Sequence, residues 1–278
     1  MKNRNIILLM IAVIVSFVIA LIIILPIDLR IQYSKSKTEY KDKEIINRLL
    51  AVPIVLYHHI GGKGVYSVSE KQLVDHFELI KNLDITVIPL KTLISHLRLR
   101  QMFKKNVMVI TFDDGFNSAF TKLLPLVKKY NYPVTLFVYT DFIKKRSRSS
   151  LTWKKLQVLE KNNIDIQCHS KSHADLRRLC KNENRCFINR RAIYREMYLA
   201  KRTIENYLNK DIEYFAFPYG RYNPTLIELA KQAGYKRVFS TMFGSNIVTR
   251  DNYCLKRHHI KNSYTLKKYK RIITKMLH

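Results

Sequence analysis

The sequence has only four cysteines, and no two of them form a C-x-x-C pair, so a zinc ribbon or a redox motif is not indicated. Cys180 and Cys186 flank a five-residue polar loop and could close a disulfide if the domain is extracytoplasmic; their spacing alone leaves the pairing open. The sequence also lacks a long internal repeat and a low-complexity tract. Its 278 residues, 47% of them hydrophobic, are enough to bury the core of a single domain.

Acidic residues are scarce: 21 aspartates and glutamates stand against 50 lysines and arginines, and the formal net charge is +29. Such a surplus suggests nucleic acid or an anionic surface as partner. The basic residues are dispersed, however, and no zinc-finger spacing, aromatic RNP motif or basic zipper accompanies them. Nucleic-acid binding is therefore disfavoured. Solvated basic faces, or attraction to anionic lipid or cell-envelope polymer, stay open.

The N-terminal part contains one long apolar run, residues 6–25. A helix of twenty residues is about 30 Å long, which matches the hydrocarbon thickness of a bilayer. No convincing small-x-small cleavage signal follows it, so we expect an uncleaved transmembrane anchor at 6–25, after a short basic segment at 1–5. Residues 26–50 are expected to form a charged stalk and residues 51–278 a folded domain.

Within the folded domain, short apolar strands alternate with helical stretches. Strands are predicted at 52–57, 86–88, 107–112, 134–139, 164–168, 214–217 and 237–240, and helices at 70–82, 119–129, 192–208 and 224–233. This alternation indicates parallel α/β architecture, either a barrel or an open sheet. Polar groups follow several strands, and in a barrel all of these would converge at one mouth. A distorted parallel (β/α) barrel of about seven strands is therefore favoured.

The tail from Lys261 to His278 carries apolar residues at helical spacing between lysines. A helix of this kind either packs on its own domain or lies on a membrane surface. Both interpretations stay open, with packing on the domain preferred.

A predicted strand runs directly into Asp113 and Asp114. Two adjacent carboxylates cannot both pack in a core as unpaired charges, and a metal ion is the simplest partner for them. After another strand, His169 and His173 are four residues apart. If a helix opens there, both imidazoles lie on one face, as a metal clamp requires. Two imidazoles and one carboxylate suit Zn²⁺, and also Co²⁺, Ni²⁺ or Fe²⁺.

The segments Thr111-Phe-Asp-Asp-Gly115 and His169-Ser-Lys-Ser-His173 resemble the motifs of the polysaccharide deacetylases of the NodB-homology group, carbohydrate esterase family 4. The resemblance extends from about Ala51 to Ile260. Val55-Leu-Tyr-His-His-Ile60 and Phe215-Ala-Phe-Pro-Tyr-Gly220 are most similar to the poly-N-acetylglucosamine de-N-acetylase branch. The resemblance implies a NodB-like barrel that removes acetyl groups from N-acetylglucosamine residues of a glycan in a metal-dependent reaction.

Carried over position by position, the resemblance implies that Asp114, His169 and His173 bind the metal and that Asp113 is the general base. A metal lowers the pKa of water, and an adjacent carboxylate can take the proton. The backbone N–H of Tyr219 would support the oxyanion of the tetrahedral intermediate.

The leaving amine also needs a proton from a general acid. In the branch that the sequence resembles, this is the histidine after the first strand, here His58; its alternative role is a hydrogen-bonded histidine at the barrel rim. Another family solution is a C-terminal Leu-x-His motif. This sequence reads Leu255-Lys-Arg-His258-His259, one residue out of register, so His258 is the second candidate for the acid.

Three further residues are candidates for substrate binding. Pro218 and Gly220 flank Tyr219, and the glycine would let the chain turn closely past a substrate. Trp153 either stacks on a sugar ring or packs within the domain.

The expected function is therefore metal-dependent release of acetate from N-acetylglucosamine residues of a cell-envelope or extracellular polysaccharide. A peptidoglycan N-acetylglucosamine deacetylase, and a non-catalytic tethered module that binds anionic polymer, are the alternatives. A glycan substrate implies that a single span at 6–25 holds the domain outside the cytoplasmic membrane. The basic residues around that span, counted alone, favour the cytoplasmic side. The oligomeric state is left open.

Overall fold

The structure, a computed structural model, describes residues 50–145 and 147–277. The predicted segment at 1–5, the predicted anchor at 6–25 and all of the predicted stalk except Leu50 lie outside these residues. Within the described ranges, no helix combines the length and the apolar character that a membrane crossing requires.

Eleven strands occur in the described residues. They are β1 (Ala51–Val52), β2 (Ile54–Tyr57), β3 (Thr86–Val87), β4 (Val107–Phe112), β5 (Val134–Val138), β6 (Ile164–Cys168), β7 (Tyr214–Ala216), β8 (Arg237–Phe239), β9 (Asn246–Ile247), β10 (Cys254–Leu255) and β11 (His258–His259). Nine of them form one parallel sheet in the order β10-β8-β7-β6-β5-β4-β2-β11, with β3 paired to β4. The other two, β1 and β9, form an antiparallel pair.

The sheet curls so far that its two ends come close together. β10 and β11 lie at opposite ends of the strand order, yet only Lys256 and Arg257 separate them along the chain. Three peptide units span at most about 11 Å, so the two end strands must be near neighbours in space. The result is a curled parallel half-barrel with an open seam, and Arg257 lies in that seam. The structure thus agrees with the predicted distorted barrel.

The central strands β2, β4 and β5 are almost entirely apolar because both faces of the sheet are covered. Alternate residues therefore belong to different hydrophobic clusters. Ile110 and Leu136 pack in the larger cluster with the helices. Their neighbours Val109 and Phe137 pack in the smaller cluster, inside the curl.

Nine α-helices occur in the described part of the chain. They are α1 (Glu70–Asn82), α2 (Leu90–Leu99), α3 (Leu124–Tyr130), α4 (Thr140–Lys144), α5 (Trp153–Glu160), α6 (Leu176–Leu179), α7 (Glu183–Leu208), α8 (Pro224–Gln232) and α9 (Leu266–Met276). A π-helical turn, Ala119–Leu123, precedes α3. Side chains of Ser69, Asn182 and Asn223 accept hydrogen bonds from backbone N–H groups at the first turns of α1, α7 and α8, which fixes where these helices begin.

All seven predicted strands are present, but Pro53 divides the first into β1 and β2. The predicted helix at 192–208 begins nine residues earlier, at Glu183. Cys180 follows α6 and Cys186 lies in the first turn of α7, and the two are joined as a disulfide with Cα atoms 4.1 Å apart. The tail helix α9 buries Tyr269 among other apolar residues and packs on α1, so it belongs to the domain.

Candidate active site

Side chains from the carboxyl ends of several strands meet around one cavity of about 360 Å³, where a parallel barrel places its active site. The residues that line it are His58, Tyr66, Asp113, Asp114, His169, His173, Tyr219, Gly220, Arg221, Thr241 and His259. Seven of the ten site residues predicted from the sequence are among them. The exceptions are His258, Pro218 and Trp153.

The three predicted metal ligands lie together. The Nε2 atoms of His169 and His173 are 3.7 and 3.4 Å from the same oxygen, Oδ1 of Asp114. Two ligand atoms at about 2.1 Å from a tetrahedral ion are about 3.4 Å apart, so the spacing suits one shared ion. The described residues therefore contain a candidate metal site of two imidazoles and one carboxylate.

The protonation states of the imidazoles also suit a metal. Nδ1 of His169 lies 2.8 Å from the carbonyl oxygen of Ala216, to which it donates its proton, and the lone pair is then on Nε2. Burial lowers the pKa of His169 to about 4, and burial also lowers the pKa of His173. Both rings are therefore neutral at pH 7, the form in which imidazole binds metal.

Asp114 has a cavity-side oxygen that lacks a donor. Its Oδ1 is buried and accepts no hydrogen bond from the described residues. Burial, and then the charge of Asp113, raises the pKa of Asp114 to about 7. A buried carboxylate oxygen without a hydrogen-bond donor is unfavourable. The two Nε2 atoms facing it carry lone pairs and cannot donate a hydrogen bond to it. A divalent cation would satisfy all three atoms, so the donor set fits the predicted metal.

A turn, and not a helix, brings the two imidazoles together. Ser170 and His173 have positive φ angles of 77° and 62°, and the N–H of His173 donates to Oγ of Ser170 at 2.9 Å. The next helix, α6, begins only at Leu176. The hypothesis of a helix opening at His169 is therefore wrong. The tight turn places the two ring centroids 4.9 Å apart.

Asp113 forms a buried ion pair with Arg257. The guanidinium donates two hydrogen bonds, of 2.7 and 2.8 Å, to the two carboxylate oxygens. The side chains are 2% and 0% exposed, respectively. Burial alone would raise the pKa of Asp113, but Arg257, with His169, holds it well below its usual range. Asp113 is therefore ionised at neutral pH, as a general base must be.

His58 lies in an aromatic wall of the cavity. Its ring is nearly parallel to that of His259, with centroids 5.3 Å apart, and Tyr66 contacts both rings. Nδ1 of each imidazole is buried and unpartnered among the described residues. Burial lowers the pKa of His58 to about 4 and that of His259 to about 3, so both are neutral at pH 7.

The turn Pro218–Gly220 places Tyr219 at the mouth. Tyr219 has a φ of 59° and a side chain that is 55% exposed, and its ring centroid lies 4.8 Å from that of His173. At Gly220, φ is 65° and a Cβ atom would lie 2.5 Å from the backbone nitrogen of Thr241, so only glycine fits. Pro218 is buried and does not line the cavity.

Two other predicted residues lie outside the cavity lining. Trp153 stacks on Tyr207 at 4.1 Å, which supports the packing interpretation of this tryptophan. His258 packs against Phe243 and Tyr264, with ring centroids 4.9 and 6.1 Å away. The next residue, His259, lines the cavity instead.

Sequence reasoning missed Tyr66, Arg221, Thr241 and His259 in the lining, and Arg257 behind it. Of these residues, only Arg257 could have been anticipated from the sequence. A buried, ionised Asp113 needs a cation as partner, and an arginine next to a histidine predicted at the barrel rim is a candidate.

Fold and site define a class: a parallel half-barrel of the NodB type with a candidate metal site at its mouth. The family profile described as polysaccharide deacetylase matches residues 100–238, half of the chain. The chain belongs to the polysaccharide deacetylase family, and the resemblance found in the sequence motifs is confirmed.

Several relatives are similar over most of the chain. The poly-beta-1,6-N-acetyl-D-glucosamine N-deacetylase of Staphylococcus epidermidis is 27% identical over 214 residues, which cover 73% of this chain and 71% of that protein. The Streptococcus pyogenes deacetylase PplD, solved with acetate, has a TM-score of 0.71 at 22% identity, over 81% of this chain and 98% of that one. The structure of IcaB from Ammonifex degensii has a TM-score of 0.70 at 17% identity, over 82% of this chain and 98% of that one. These two structural likenesses show the fold alone.

Proposed function

We propose that the protein is a metal-dependent de-N-acetylase that releases acetate from N-acetylglucosamine residues of a cell-envelope or extracellular polysaccharide. The observation that carries this proposal is the meeting of Asp114, His169 and His173 beside the ionised Asp113 in one cavity. Membership of the family supports a polysaccharide deacetylase. The name of the Staphylococcus epidermidis relative supports poly-N-acetylglucosamine as the substrate class.

In this proposal Asp114, His169 and His173 hold the ion, with zinc preferred and cobalt, nickel or iron also compatible. A bound divalent ion supplies Lewis acidity towards the acetamide oxygen and towards water. Asp113 accepts the proton of the attacking water. Arg257 fixes both oxygens of Asp113 and keeps it charged, and each oxygen retains a lone pair for that proton.

His58 is proposed to pass to the leaving amine the proton that Asp113 takes from water. It is neutral at pH 7 and can therefore accept that proton, it lines the cavity, and its Nδ1 has no partner among the described residues. His259 replaces His258 as the second candidate for the acid, since His259 lines the cavity. The backbone N–H of Tyr219 is proposed to stabilise the oxyanion, and Gly220 lets that turn approach the reacting group.

A glycan of the envelope lies outside the cytoplasmic membrane. We therefore propose that residues 6–25 form a single-pass anchor and that the domain is extracytoplasmic. Protease treatment of intact cells tests this, because an extracytoplasmic domain is degraded and a cytoplasmic one is protected.

Acetate release from N-acetylglucosamine oligomers, with β-1,6-linked, chitin-type and peptidoglycan-type substrates in parallel, tests the activity. We expect release to stop with a chelator and to return with zinc. Asp113→Asn should lower the rate by about 10² or more, the usual effect of losing a general base. Asp75→Asn, at an exposed ion pair with Lys71, is the matched control and should have no effect.

Wild-type rates in Asp113→Asn would contradict the mechanism. Salt-sensitive binding of an anionic polymer without any turnover would instead support the non-catalytic alternative.

A further inference from the structure

The long helix α7 has two opposite faces. Its inner face is buried in the domain and consists of Cys186, Ile193, Met197, Ala200 and Ile204. Its outer face, an arc of about 120° at 3.6 residues per turn, consists of Asn184, Phe187, Ile188, Arg191, Arg195, Tyr198, Leu199, Arg202, Glu205 and Asn206. The side chains of Phe187 and Ile188 are 81% and 72% exposed. Large apolar side chains this exposed, side by side on a regular helix, indicate a surface that meets something other than water.

The charged residues of the outer face are three arginines and one acid, Glu205, whose side chain is only 10% exposed and already paired. The ion pairs of α7 in the described part of the chain join Lys201 and Arg202 to Glu205. Arg191 and Arg195, next to the apolar pair, have no carboxylate partner there. Glu196 is turned away from this face, since it accepts hydrogen bonds from residues 171 and 172. The partner should therefore carry negative charge.

We propose that the outer face of α7 docks on the anionic surface of a lipid bilayer, with Phe187 and Ile188 inserted among the headgroups. Exposed aromatic and aliphatic side chains beside arginines are typical of helices that lie in the membrane interface, and Tyr198 is of the type enriched at that depth. The arginines would be attracted electrostatically to anionic lipid headgroups.

Two other occupants fit less well. A soluble anionic polymer would neutralise the arginines but leave Phe187 and Ile188 in water. A second copy of the chain, docked through the same face, would bring arginines against arginines. An anionic lipid surface accommodates both the exposed apolar pair and the arginines. This proposal does not depend on the proposed catalytic function.

Fluorescence of the full chain in vesicles tests the docking. The protein has one tryptophan, Trp153, which is packed on Tyr207, so Phe187→Trp adds a second indole at the outer face. Leu99→Trp is the matched control, because Leu99 is 60% exposed on a different helix, α2. All variants share residues 6–25, so any attachment through the predicted anchor is the same in each of them. Vesicles contain brominated phosphatidylcholine, with or without phosphatidylglycerol.

We expect bromine to quench the indole of Phe187→Trp in vesicles with phosphatidylglycerol, while Leu99→Trp stays at the wild-type level. Adding Arg191→Glu and Arg195→Glu to Phe187→Trp should abolish this quenching. Circular dichroism melting checks that each variant is folded.

Equal quenching of the two tryptophan variants, or quenching that ignores phosphatidylglycerol, would overturn the proposal. The proposal would also be overturned if the indole were shielded from aqueous acrylamide without being quenched by lipid. Shielding that requires a soluble polyanion would indicate polymer binding, and shielding that rises with protein concentration would indicate self-association.

Discussion

Replacing Arg257 with methionine should destabilise the protein strongly. Arg257 and Asp113 are fully buried and share two hydrogen bonds of 2.7 and 2.8 Å. Removing one partner of a buried ion pair costs about 3–5 kcal/mol, because a buried charge is left without compensation. Methionine can retain contact with the rings of Phe137 and Phe239, whose centroids lie 5.0 and 5.9 Å from the guanidinium, so the loss should be electrostatic.

The size of the loss should depend on pH. Because Arg257 holds the pKa of Asp113 below its ordinary value, the pair contributes its full stability above about pH 4 and loses it only as the pH falls towards the lower native pKa. In Arg257→Met, the main interaction that counteracts burial is lost, and burial raises the pKa of Asp113. The variant should therefore be weakest relative to wild type at neutral pH, and the difference should shrink towards about pH 5 as the carboxylate takes up a proton.

Urea unfolding at these two pH values measures the effect. Arg202→Met removes an exposed pair, with the arginine 56% exposed, and should cost less than about 1 kcal/mol. The double variant Arg257→Met with Asp113→Asn removes the uncompensated charge and should regain most of the lost stability without regaining acetate release. A double variant no more stable than Arg257→Met would refute the electrostatic reasoning, and so would a loss under about 1 kcal/mol in the single variant.

Three further outcomes are expected. Zinc at 100-fold above its dissociation constant should stabilise the wild type by about 2.7 kcal/mol in a thermal-shift measurement, and His173→Ala should lose most of that gain. Gly220→Ala should lower the free energy of unfolding in urea by at least about 1 kcal/mol, because its φ of 65° is strained for alanine, and should reduce acetate release. His58→Gln should reduce acetate release by about 10² while the zinc-induced shift stays intact. Equal zinc shifts in wild type and His173→Ala would contradict the ligand assignment.

The strands and the four central site residues could be predicted because their signals are local. A strand covered on both faces is mostly apolar, so Val107–Phe112 is recognisable, and the two carboxylates that follow it stand out. Strands β10 and β11 could not be predicted. Each has two residues, too few for a periodicity, and only their neighbours in space define them.

The turn at His169–His173 shows a second limit. A spacing of four fits one face of a helix, and it fits equally well a tight turn with positive φ angles at Ser170 and His173. The spacing therefore predicted the meeting of the imidazoles correctly and its backbone cause incorrectly. Arg257 shows a third limit, since no local pattern links it to Asp113.

The seam has a consequence for synthesis on the ribosome. Arg257 follows Asp113 by 144 residues, and at about 5–20 residues per second it is added roughly 7–30 s later. During that interval the aspartate has no counterion and β2 has no neighbour on its outer edge. A nascent chain that stops short of Arg257 thus lacks both, and we expect it to depend on chaperones until its last segment emerges.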